Sequence, residues 1–246
     1  MAFEKETFYG SAKVYIAGFH VGNVPSLTHT IETEEKSIPS RLPGGGKYDS
    51  LTIVNAVSLA MTLSDYNDDN LALALQALKI ETSADTAITG EKQTAPAPGG
   101  LVPLDAFVKV GEAVQVQDDA QTPQTFTAGT DYEVTQTGIK VLEGGAITEG
   151  TTLVVDYVAL GSTSLEMLAG TQKAVPVLVE GINEAQSGQP FNILYHSVKI
   201  APSASFGAIT DGYGSIELPG EALPDQTKGA GKSKFMRMVK APSVKA

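Results

Sequence analysis

The residues able to do chemistry are few and scattered. The chain has three histidines, His20, His29 and His196, and no cysteine. None of the histidines has an HExxH or triad-like neighbour, and no Gly-x-Ser-x-Gly elbow occurs. Without cysteine there is no thiol nucleophile, no disulfide framework and no thiolate zinc site. Gly229-Ala230-Gly231-Lys232-Ser233 matches the end of a phosphate-binding loop, but the first glycine position of that pattern holds Gln226. Only 13 residues follow Ser233, little room for the helix whose N-terminus would hold phosphate. Asp65-Tyr66-Asn67-Asp68-Asp69 alternates oxygen ligands like a calcium loop, yet Asn70 stands where glycine is needed and Gln76 where glutamate is. A helix-capping acidic turn explains that run more simply. These residues predict no enzyme, no metal, no cofactor and no catalytic residue.

Charge narrows the partners. Of 246 residues, 17 are Lys or Arg and 28 are Asp or Glu, a formal net charge of −11. Such a chain is not expected to seek duplex DNA, whose phosphates reward clustered cations. All 28 acids precede Lys228, and from there on stand only cations: Lys228, Lys232, Lys234, Arg237, Lys240 and Lys245. Residues 228–246 therefore read as a basic arm, either a mobile Gly-rich tail or a segment that docks on an acidic neighbour. The aromatic residues, 7% of the chain, do not interleave with basic ones, so base stacking has no support. The opening residues Met1-Ala2-Phe3-Glu4-Lys5-Glu6 lack a basic region followed by an apolar run, and no stretch is long and apolar enough to span a bilayer. The expectation is a soluble acidic protein made in the cytoplasm, without a membrane segment.

The elements that must carry these residues are mostly strands. Alternation over 12–17, the turn at 18–22 and alternation over 28–33 predict an antiparallel pair across residues 10–33. Residues 34–50, with two prolines and three consecutive glycines, read as a long exposed loop. Residues 51–63 carry no charge and read as a long strand, either buried in a sheet or free to pair with a neighbour. Leu71, Leu75 and Leu78 have helical spacing after a cap at Asp68, Asp69 or Asn70. The Pro/Gly-rich joint at 94–100 introduces several short strands up to residue 160, and Thr163 with Glu166 fits the capping box of a second short helix. The fold class expected is mainly β: a β-sandwich or barrel-forming core (1–93 with 161–246), one flanking helix, and a small inserted β module (94–160).

Several stretches, taken in order, resemble the tail tube (major tail) protein of long-tailed, siphovirus-type bacteriophages. They are residues 10–17, the strand pair up to Leu63, Asp69-Asn70-Leu71-Ala72-Leu73-Ala74-Leu75, residues 179–188, residues 198–225 and the closing Ser233-Lys234-Phe235-Met236. The inserted module, with Gly129-Thr130-Asp131-Tyr132-Glu133-Val134 and Val155-Asp156-Tyr157, is similar to a segment many such proteins carry. The resemblance implies a structural virion protein that self-assembles as hexameric rings stacked into a hollow tail tube, a conduit for DNA ejection into the host. It implies as partners further copies of the chain, tail tip or baseplate, tape measure and tail terminator proteins, with DNA passing through the lumen unbound. An acidic wall would suit that passage, since it repels phosphates over about a Debye length, near 8 Å at physiological salt.

Three sets of residues follow as candidate contacts. Glu34, Glu35, Ile38, Arg41, Leu42 and Lys47 of the 34–50 loop are expected between rings. Lys232, Lys234, Phe235 and Arg237 are expected to carry the C-terminal arm. Ile53, Val57, Leu59 and Met61 are expected on a ring-closing strand. Two other readings stand beside this one: a tube subunit of a contractile or secretion device, and a β-sandwich module binding carbohydrate or a cell surface through Phe107, Phe126, Tyr132 and Tyr157.

Overall fold

A computed structural model describes residues 6–242. In chain order the elements are β1 (Gly10–Ile16), β2 (Phe19–His20), β3 (Ser26–Pro39), β4 (Lys47–Leu63), α1 (Asp68–Leu75), β5 (Leu78–Thr82), β6 (Ala87–Thr94), β7 (Leu101–Pro103), β8 (Gln115–Asp118) and β9 (Thr125–Phe126). They continue as β10 (Tyr132–Thr135), β11 (Gly138–Val141), β12 (Thr152–Val158), β13 (Ser162–Glu166), β14 (Ala174–Asn183), β15 (Gln189–Ile200), β16 (Ile216–Ala222) and β17 (Met236–Lys240). The protein is mainly β, with one α-helix among the described residues, as its alternating sequence predicts. The chain divides into two compact units, residues 1–78 with 166–246, and residues 79–165.

The first unit is built on one antiparallel sheet in the order β2-β1-β14-β15-β16-β4-β3, with β17 also paired to β15. Period-two alternation puts Val14, Ile16, Val177, Val179 and Tyr195 on one face, where they share a core with Val57, Leu59, Met61, Leu63, Ile216 and Leu218. The helix α1 adds Ala74 to this core. Its cap is Asn67, whose side chain accepts from the Asn70 backbone N–H at 2.8 Å, and not the three residues that follow it. Asn70 is itself buried, donating from Nδ2 to the carbonyls of Val21 (2.9 Å) and Asp65 (3.0 Å). The helix ends at Gln76 in the left-handed conformation, so Leu78 leaves the helical stripe and is exposed on β5.

The second unit has its own core. A four-stranded sheet, β6-β12-β8-β9, and a three-stranded sheet, β10-β11-β7, bury Val102, Val116, Ile139, Val141, Leu153 and Val155 with Phe126, Tyr132 and Tyr157. The strands β5 and β13 pair with each other. This unit begins at Lys79 and ends at Leu165, wider than the 94–160 module expected, because β6 pairs with β12 and so belongs with it. Thr163 opens no helix. Residues 162–166 form β13, where pairing with β5 overrides the capping-box pattern.

Asp131 organises the turn that precedes β10. Its carboxylate accepts the backbone N–H groups of Thr127 (2.7 Å) and Ala146 (2.8 Å), which holds its pKa below the usual carboxylate range. A Cβ at Gly145 would lie 2.7 Å from the Asp131 Cα, so the chain passes there only as glycine.

Candidate assembly surface

The antiparallel pair expected across residues 10–33 does not form. Strand β1 pairs with β2 and β14, whereas β3 pairs with β4 along nearly its whole length, from Ser26↔Thr62 to Pro39↔Lys47. The expected 34–50 loop is therefore mostly strand. Its glycines and Pro43 occupy only the connection of residues 40–46, closed by Ser40 N–H donating to the Gly46 carbonyl at 2.8 Å. The prolines at 39 and 43 lie at the end of β3 and beyond it, where no ladder hydrogen bond is lost.

This hairpin outruns the sheet that carries it. Strand β16 pairs with β4 only from Ser58 to Leu63, so residues 47–57 of β4 have β3 as their only strand neighbour among the described residues. Of these, the nine residues 47–55 are exposed, and at about 3.3 Å each they give a two-stranded ribbon projecting roughly 30 Å. Side chains on both of its faces are exposed. A bulge at Asn55 resets the alternation. Beyond it, Ile53, Leu51 and Ile38 share one face with Glu34, Lys36 and Asp49, each apolar residue directly opposite a charged one. Ile38 is 59% exposed and Leu51 62%. Leu42 and Arg41 sit in the connection, and Lys47 pairs with Glu35 at 2.6 Å.

The residues expected on a ring-closing strand divide where the exposed part of β4 ends. Val57, Leu59 and Met61 are buried in the first unit's core, and Ser58–Leu63 has a strand on each side. Only Ile53 of that set lies on the open part. The uncharged run 51–63 is thus half central strand and half projecting ribbon.

The C-terminal arm is also a strand. Residues 236–240 pair with β15, Tyr195↔Met236 through Phe191↔Lys240, and Phe235 packs against the core. The mobile-tail reading fails because Phe235, Met236, Met238 and Val239 supply the apolar side chains that a strand needs. The outer edge of β17 has no backbone partner among the described residues, and neither has the matching edge of β4 over 47–57. Lys240 pairs with Glu6 at 2.5 Å, and Lys234 donates to Gln226 Oε1 at 2.7 Å. Lys245 lies outside the described residues.

Cations of this segment gather at one place. A pocket of about 340 Å³ is lined by Lys228, Lys232 and Arg237, by His196, Gly231 and Ser233, and by the apolar Leu194 and Met236. The loop above it is closed by Asp225 N–H donating to the Lys234 carbonyl at 2.9 Å. The Asp225 carboxylate accepts from Thr227, from both Oγ1 and N–H, and pairs with Lys228 at 3.3 Å, which together keep its pKa low. A strand, β17, follows Ser233 where a phosphate-binding loop would open a helix.

Other residues singled out by the sequence make local contacts. The Asp65 carboxylate accepts the Asn23 N–H at 2.6 Å, and Asp119 pairs with Lys92 at 2.6 Å. His29 Nδ1 lies 3.1 Å from the Tyr195 hydroxyl. Among the described residues no group of three or more His, Asp or Glu side chains gathers to hold a metal ion. A concavity of about 590 Å³ lies beside α1, lined by Phe19, His20, Asn67, Asp69, Leu73 and Lys173 among others. Three of the four aromatics expected to line a sugar pocket, Phe126, Tyr132 and Tyr157, are core residues, and Phe107 alone is partly exposed. Tyr157 donates to Glu91 at 2.7 Å and accepts the Ala106 N–H at 3.1 Å, and burial pushes its phenol pKa up.

No curated protein matches the chain. One family model does, over residues 7–239, which take in all of the second unit and most of the first: the chain belongs to the family described as "Protein of unknown function UCP028589".

Proposed function

We propose that the chain is a structural subunit that assembles with copies of itself into stacked rings, the tail tube of a long-tailed phage, through which DNA passes into the host. The observation that carries this reading is the ribbon of β3 and β4. An isolated two-stranded hairpin is marginal in water, and this one holds exposed Ile31, Ile38, Leu51 and Val54 on faces that nothing among the described residues covers. A neighbouring copy laid along it buries those side chains and supplies a third strand layer.

The open edges support the same reading. Unpaired N–H and C=O groups on the outer edge of β17 and on β4 over 47–57 are templates for strand addition, and closing a ring removes them. Six-fold rings and a DNA-conducting lumen rest on the family resemblance, and the net charge of −11 suits a wall that must not hold phosphate. The virion is then the protein's destination, with the cytoplasm of the host as its place of synthesis.

The test is assembly by the purified chain with and without the ribbon. Full-length protein forms rings or tubes as its concentration rises. Protein in which residues 36–51 are replaced by a two-residue turn keeps its melting transition and stays monomeric. Tubes from the shortened chain would remove the ribbon from the account.

A further inference from the structure

Two features of the first unit complement each other in shape and charge. One is the loop between β15 and β16, residues 201–215. Its base is pinned: Ser203 N–H donates to the Ala74 carbonyl at 2.7 Å, the Phe206 ring lies 5.8 Å from that of Tyr66, and Tyr66 Oη donates to the Ser215 carbonyl at 3.1 Å. A Cβ at Gly214 would fall 2.6 Å from Tyr66 Oη, so tyrosine and glycine fit each other at the exit of the loop. On this held base the tip projects Ile209, 96% exposed, and Tyr213, fully exposed, on either side of Asp211. Asp211 has no ion-pair or hydrogen-bond partner among the described residues.

The other feature is the basic pocket beneath residues 225–235. It offers apolar contact at Leu194 and Met236 and positive charge at Lys232 and Arg237, neither of which meets an acid among the described residues. Its loop is closed on itself, so little ordering remains to be done on binding.

We propose that the loop tip of one copy, Ile209-Thr210-Asp211-Gly212-Tyr213, seats in the basic pocket of another. The proposal rests on the self-assembly reading and names one contact within it. Ile209 and Tyr213 are exposed and so do not occupy the pocket of their own chain. In a molecule of net charge −11, approach of a second copy is opposed except where cations gather, and the pocket is such a place. Asp211 meets Arg237 and Lys232 while the flanking side chains bury against Leu194 and Met236, an apolar anchor with a charge at its centre. Because the two patches differ, the contact is heterologous and propagates head to tail, closing as a ring or running on as a filament.

The test uses the full chain and charge exchange, read by analytical ultracentrifugation over a concentration series. Asp211→Lys alone, and Lys232→Glu with Arg237→Glu, each raise the concentration needed for self-association by about tenfold or more, the scale of one such contact. Mixing the two variants restores association, because each loop then meets a pocket of opposite charge. All three residues are exposed, so thermal melts remain at the wild-type position and serve as the folding control. Wild-type association by both variants overturns this contact and leaves the self-assembly reading standing. A wild-type chain that stays monomeric at every concentration overturns both. Binding of inorganic phosphate that Arg237→Glu abolishes, without any effect of Asp211→Lys on association, makes the pocket an anion site and overturns the contact.

Discussion

The hydroxyl of Tyr195 on β15 lies 3.1 Å from Nδ1 of His29 on β3, although β16 and β4 stand between those strands in the sheet. Three strand spacings are about 14 Å in a flat sheet. The side chains meet because the sheet curls over its own core, with Val57, Leu59 and Met61 inside the bend. Strands β3 and β4 run past the last residue that β16 pairs, and the ribbon begins beyond it.

Tyr195 reports on that curl through pH. Burial pushes its phenol up to about 12, above the ordinary tyrosine value of 10. The unfolded chain therefore ionises first. The stabilisation is complete below pH 10 and is lost as pH rises through about 12. Denaturant melts of the wild type should weaken steeply across that window. Tyr195→Phe should flatten the dependence, at a cost near neutral pH of about 1 kcal/mol for the lost hydrogen bond.

Asp131 should make the second unit sensitive on the acid side. Its pKa is lowered by the N–H groups of Ala146 and Thr127, so the stabilisation is present above the usual carboxylate pKa and lost as pH falls through the lower folded value. Asp131→Asn keeps one acceptor oxygen and no charge. It should destabilise residues 79–165 at neutral pH and remove the acid-side loss contributed by this residue, read by hydrogen exchange of amides in β8 to β12.

Asn70 ties the start of α1 to the chain before it. Removing its side chain in Asn70→Ala leaves the carbonyls of Val21 and Asp65 without their donor. The expected cost is about 1–3 kcal/mol, measured by chemical denaturation. Asp68→Ala at the exposed neighbouring position should cost well under 1 kcal/mol, about the size of a helix-dipole contact.

Much of the fold is legible in alternation. The strands at 132–135, 139–141, 152–157 and 191–200 read directly from period-two patterns, because one face of each meets a core. Residues 34–39 and 47–50 do not, because both faces of the ribbon are exposed and no burial imposes alternation on Glu34, Glu35 and Lys36. The last strand hides for a related reason: Met236-Arg237-Met238-Val239-Lys240 is short, charged and preceded by glycines, and only its pairing with β15 makes it a strand. The cap at Asn67 stands one residue ahead of the expected candidates Asp68, Asp69 and Asn70. The pinned loop at 201–215 carries no sequence signal beyond Tyr66 and Gly214, whose meeting is 148 residues apart in the chain and visible only in three dimensions.

The ribbon should be dispensable for folding and required for assembly. Ile38→Asp with Leu51→Asp places two charges on the face that a neighbour would bury, at positions already 59% and 62% exposed. The melting transition should stay within about 0.5 kcal/mol of wild type, as for surface substitutions generally. Sedimentation should show loss of the assembled species.

Negative-stain electron microscopy of the purified full-length chain over a concentration series tests the central claim most directly. The account predicts rings and hollow stacked tubes from the wild type, and dispersed particles from Ile38→Asp with Leu51→Asp at the same concentrations. Dispersed single particles from both proteins at every concentration, with light scattering giving the monomer mass, would contradict it.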